Sequence, residues 1–165
     1  MQQSHQDRHP STNSLSVIKS RMDNIIREIY PGALELCQKI ASVAEEFEPS
    51  TKIERIKGLV DVIYNALERQ YYKEKIVLFP FLEQTMSGSH SDRLNASIKS
   101  AQDEVLRIAG QVRHLCSWLA ELSSAVGDKS EATEAIIERF RVFDAKWQEL
   151  NKERDELYVA ITTLS

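Results

Sequence analysis

Apolar residues recur every three or four positions along four long stretches of the chain, the spacing of one helix face. In the first stretch Val17, Met22, Ile25, Ile26 and Ile29 precede Pro31-Gly32. Ala33, Cys37, Ile40, Val43, Ala44 and Phe47 then resume the stripe. This predicts a helix over about 14–47 with a kink or short break at the proline. "EPST" ends it and supplies Ser50 or Thr51 as the next N-cap. In the second stretch Ile56, Val60, Ile63, Leu67, Gln70, Glu74 and Val77 follow at intervals of 4, 3, 4, 3, 4 and 3. That is the core seam of a bundle helix, predicted over about 52–82. A third helix is predicted over about 93–126, with Leu94, Ile98, Val105, Ile108, Val112, Leu115, Leu119 and Leu122 inward. A fourth is predicted over about 131–164, with Phe140, Phe143, Trp147, Leu150, Arg154, Leu157, Ile161 and Leu164 on its seam.

Four long amphipathic segments with the short loops "TMSGSHSD" and "GDKS" predict an all-α, antiparallel up-down-up-down four-helix bundle. It spans 14–165 behind a flexible polar tail, 1–13. A length of 165 residues suits one domain, and 5 Gly and 4 Pro favour helices over a turn-rich β fold. A net charge of -4, without a basic stripe and interleaved aromatics, argues against nucleic acid as a partner. The chain has no apolar run of about 18 residues and no signal-peptide pattern. The two cysteines, Cys37 and Cys116, lie far apart in helical patterns and read as buried free thiols, which suits a reducing, cytoplasmic setting. No nucleophile-base pair, phosphate loop or zinc motif is present, so the chain does not read as an enzyme.

Gln70 and Glu74 interrupt an apolar seam, one turn apart. They stand inside "LERQYYKEKIVLFPFLE", residues 67–83. This segment resembles the signature of hemerythrin-like proteins, a His-x-x-x-Glu just before Leu-Phe-Pro. Within that superfamily the chain is most similar to the repair-of-iron-centres family, di-iron proteins tied to recovery from nitric oxide and oxidative stress. "DNIIREIY" (23–30), "AQDEVLRIAGQVR" (101–113) and "WQELNKERDELY" (147–158) resemble the other three helix motifs in order and spacing. The resemblance covers about residues 15–160.

The resemblance implies a four-helix bundle holding two irons by four histidines and two bridging glutamates. Carried onto this chain, the former metal-site positions are Tyr30, Gln70, Glu74, Gln102, Leu150 and Arg154. None of the implied histidines is present. The third position could instead be Asp103, and a one-residue slip in the fourth helix would offer Glu149 and Glu153. Leu150 and Arg154 are preferred because they continue the Phe143-Trp147-Leu157 seam. Glutamine is a poor replacement for a neutral imidazole, leucine has no donor, and arginine brings a fixed positive charge.

The expected arrangement is therefore an Arg154–Glu74 ion pair in the space the metals fill in relatives, with hydrogen bonds from Gln70, Gln102 and Tyr30, and no cofactor. Two alternatives stay open. One is a rebuilt carboxylate site of Glu74, Asp103, Glu149 and Glu153, better suited to manganese or magnesium than iron. The other is ordinary polar residues in a bundle. Three functions are consistent with these residues: a non-enzymatic interaction or regulatory protein with an unknown protein partner and a homodimer left open; a metal-binding stress protein holding di-iron or another divalent pair; or a small-molecule sensor using the former di-metal cavity. His114 reads as a partly buried structural histidine, His5 and His9 as solvated tail residues, and His90 as a solvated or N-capping residue. Tyr71 and Tyr72 read as ordinary packing residues.

Overall fold

In the computed structural model, residues 12–86, 91–125 and 130–164 are described, and all regular structure among them is helical. The rest of the tail with His5 and His9, and the loop with His90, lie outside the described residues. The elements are α1 (Thr12–Asn24), a π-helical stretch (Ile25–Ile29), α2 (Tyr30–Ala44), α3 (Thr51–Tyr72), a second π-helical stretch (Lys73–Leu78), α4 (Phe79–Thr85), α5 (Ser91–Ala125) and α6 (Glu131–Leu164). They form four long rods: α1–α2, α3–α4, α5 and α6. In the packing, α2 lies against α3 and α6, α3 against α5, and α5 against α6.

The rod boundaries match the sequence pattern closely. The first helix begins at Thr12, inside the expected tail. Ser50 is extended and its hydroxyl accepts the Ile53 N–H at 3.2 Å, which caps α3. Ser130 does the same for the Thr133 N–H at 3.1 Å at the start of α6. The inward faces then merge into one apolar cluster, from Ile18 and Met22 through Leu67, Leu115 and Phe143 to Ile161.

Apolar spacing does not predict the two π-helical stretches. Each ends two residues before a proline, and the residue between closes the wide turn: the Tyr30 N–H bonds the Ile25 carbonyl, and the Phe79 N–H bonds the Glu74 carbonyl. A helical proline donates no hydrogen bond and its ring crowds the carbonyl four residues back. Widening the turn by one residue just ahead of it removes that clash. Pro31-Gly32 therefore produces no break, and the first rod stays helical through Pro31.

The extra residue also rotates the downstream helix by about 100°, one helical step. This corrects the expected seam at Val77. Phe79 turns inward instead, and Val77 is 64% exposed beside exposed Ile76. A second correction lies in the first rod, where Ile18, Met22 and Ile25 carry the seam and Val17 faces out. Val17 and Ile18 are adjacent, so spacing alone leaves their order ambiguous.

The cysteines divide as well. Cys37 is buried, but Cys116 is exposed, contrary to the expectation of two buried thiols. His114 is likewise exposed rather than partly buried. Both flank Leu115, which takes the inward position of that turn.

Candidate functional site

Three of the four rods send polar side chains into the core. Tyr30 starts α2, directly after the first π-helical stretch. Gln70 lies in the last turn of α3, and Glu74 in the second π-helical stretch one turn later. Arg154 comes from α6. All four are buried, with Glu74 at 0% and Arg154 at 1% exposure.

Glu74 is the centre of the cluster. Its Oε1 accepts hydrogen bonds from Arg154 Nε at 2.8 Å, Gln70 Nε2 at 3.0 Å and the Tyr158 hydroxyl at 3.5 Å. Its Oε2 has no hydrogen-bond partner among the described residues. The Arg154 guanidinium also donates through Nη1 to Asn151 Oδ1 at 3.2 Å and through Nη2 to the Tyr30 hydroxyl. It lies over the Tyr30 ring, 5.5 Å from the centroid, close enough for a cation–π contact.

The electrostatics result from burial. Burial disfavours the Arg154 cation, but the Glu74 carboxylate and the Tyr30 and Tyr158 hydroxyls together more than offset this and hold the guanidinium pKa above its usual range. Tyr30 and Tyr158 are pushed upward, first by burial and then by the negative charge of Glu74. Both phenols are therefore neutral at physiological pH, with Tyr158 donating to Glu74 and Tyr30 accepting from Arg154. Removing Arg154 would strand a buried carboxylate, a loss of about 3–5 kcal/mol for pairs of this kind.

The other candidate positions divide clearly. Leu150 is buried in the apolar core and offers no donor. Gln102 is exposed and adds no bond to the cluster, contrary to expectation. Asp103 is exposed beside it. In this part of α5 the inward position belongs to Ala101. Gln102 and Asp103 instead border a groove of about 470 Å³ between α5 and α6, which Asn151 and Arg154 reach from the α6 side.

The alternative carboxylate set does not converge either. Glu149 is exposed and bonds Lys146 at 3.0 Å. Glu153 lies 3.8 Å from Arg21 on the α1 side. Only Glu74 of that set is in the core. A helix repeats every 3.6 residues, so Leu150 and Arg154 share one face and Glu149 and Glu153 another.

Asn151 and Tyr158 were missed by the sequence reading. Both were within reach of it. They stand three residues before and four after Arg154, the spacings at which helical side chains meet. Tyr71 stacks at a tilt between Tyr30, 5.3 Å away, and Tyr72, 5.1 Å away. It closes the cluster on the α3 side.

Chemically, the cluster is a satisfied ion pair with one uncommitted carboxylate oxygen. The carboxylate is paired with a guanidinium, which repels a cation. The donors do not match the histidine and carboxylate set that a di-iron pair takes in a bundle. Searches against known protein families, curated proteins and solved structures find no match to this chain.

Proposed function

We propose that the chain is an antiparallel, hemerythrin-like four-helix bundle whose di-metal centre has been replaced by an ion pair. It works without catalysis, as an interaction or regulatory protein. The observation that carries this reading is the 2.8 Å bond from Arg154 Nε to buried Glu74. It joins two of the positions where the resemblance puts metal ligands.

Two further observations support it. Along the first and fourth rods, Arg21 bonds Glu156, Tyr30 meets Arg154, and Gly32 faces Lys146. Numbers rise on one rod as they fall on the other, the order of antiparallel neighbours. The second rod relates to the first in the same sense, through Gln38–Tyr64 and Glu45–Lys57. In addition, Glu74 lies within one π-helical stretch and Tyr30 directly follows the other. Such insertions are frequent at functional sites, which fits a site inherited from a metal-binding ancestor.

The test is metal content. Protein made in iron-replete medium and purified without chelators should carry iron far below one atom per chain. Two irons per chain with an oxo-bridge absorption band would establish the metal-binding stress-protein reading instead.

A further inference from the structure

The turn that moves Val77 outward also builds a groove. It has a volume of about 570 Å³ and runs between the α3–α4 rod and α5, within the size range of small-molecule sites. Val77, Leu78 and Phe81 form one wall. On the other, Ala96, Ser97 and Ala101 are too small to fill it. The floor is closed by Gln70, whose amide nitrogen is already committed to Glu74.

The polar groups at the rim are unequal. Glu104 is held by Arg107 at 2.8 Å. Lys73 has no ion pair among the described residues. Ser100 adds a hydroxyl donor on the α5 side of the same groove. An apolar channel with an uncommitted ammonium and a hydroxyl at its edge matches one ligand chemistry, an apolar chain ending in an anion. Burying such a chain against Val77, Leu78 and Phe81 supplies the driving force, and the head group stays at the rim where Lys73 can meet it.

We propose that this groove binds an amphipathic monocarboxylate of the fatty-acid type, with its chain between α4 and α5 and its carboxylate at Lys73. The groove lies outside the Glu74–Arg154 ion pair, so metal content does not decide this proposal, nor does carboxylate binding decide the one above.

The test is calorimetric titration of the full chain with dodecanoate, and with dodecan-1-ol as the uncharged probe. Dodecanoate should bind one to one. Lys73→Glu should weaken it by about fivefold, the upper range for an exposed charge pair, and leave dodecan-1-ol unchanged. Val77→Asp, at an exposed position, should weaken both probes while the thermal unfolding curve stays that of a folded protein. Absence of dodecanoate binding would overturn the proposal. So would binding that Val77→Asp leaves intact, which would place the probe elsewhere. Equal dodecanoate affinity in wild type and Lys73→Glu would overturn the head-group assignment, and an amphipathic helix of a protein partner would then be the better occupant of the apolar walls.

Discussion

The buried core contains two kinds of region, and they are held by different physics. Around Leu67, Phe143 and Ile161 it is apolar, and each residue contributes by the volume it fills. Around Glu74 it is a set of named partners in which Arg154, Gln70 and Tyr158 all bond the same oxygen. The apolar region tolerates any residue of about the right size and shape. The polar region tolerates few single changes, because removing one partner leaves another buried and unpaired. A change of polar partner can relieve a polar defect, whereas a cavity is relieved only by a neighbour that refills its volume.

The largest effect should come from Arg154→Leu, which strands Glu74. Urea unfolding is expected to show a loss of about 3–5 kcal/mol. Adding Glu74→Gln should restore part of it. Losses that simply add would mean that the two residues do not interact.

Leu67→Ala should cost about 2–5 kcal/mol through lost contacts and a cavity. Here no exchange of a polar neighbour should compensate. Recovery of Leu67→Ala stability by Glu74→Gln would erase the distinction between the two regions.

Alkaline pH provides an intermediate effect. Burial pushes the Cys37 thiol up to about 12 from 9.0, and it pushes Tyr30 and Tyr158 upward as well. The folded state therefore binds protons more tightly than the unfolded chain, so this stability is complete below the unfolded pKa values. It is lost as pH rises toward the folded ones. From the thiol alone the loss should reach about 2–3 kcal/mol by pH 11. Denaturant melts between pH 8 and pH 11 would check this. Cys37→Ala should flatten the early part of the slope, and an unchanged slope would remove Cys37 as a cause.

The smallest effect is expected at Val77. Val77→Lys should change stability by less than about 0.5 kcal/mol, as exposed substitutions do. Had the helix kept its regular pitch, Val77 would lie on the seam and the same change would cost several times more. A large loss in a thermal or urea melt would therefore contradict the π-helical insertion.

The same contrast explains how much the sequence disclosed. The four rods and nearly all their inward residues were legible, since burial repeats with the helical period. Leu94 through Leu122 and Phe140 through Ile161 follow it closely. Legibility failed where the period failed. Val77 was misplaced because an extra residue had to be accommodated before Pro80, and nothing in apolar spacing reports that. In the cluster, Glu74, Gln70 and Arg154 stood out as polar residues in apolar seams. The family resemblance points to Gln102, whereas apolar spacing favours Ala101, which fits the Ile98-to-Ile108 face better. Asn151 and Tyr158 were overlooked because a polar residue flanking a seam looks like any solvated neighbour until its partner is known.

The most direct test of the proposal that an ion pair stands in place of a metal centre is an anomalous diffraction map, recorded at the iron edge from crystals of iron-replete protein. The ion pair predicts no anomalous peak beside Glu74, and continuous guanidinium density reaching from Arg154 to its carboxylate. Two strong peaks bridged by Glu74, with Arg154 turned away toward the α5–α6 groove, would contradict it.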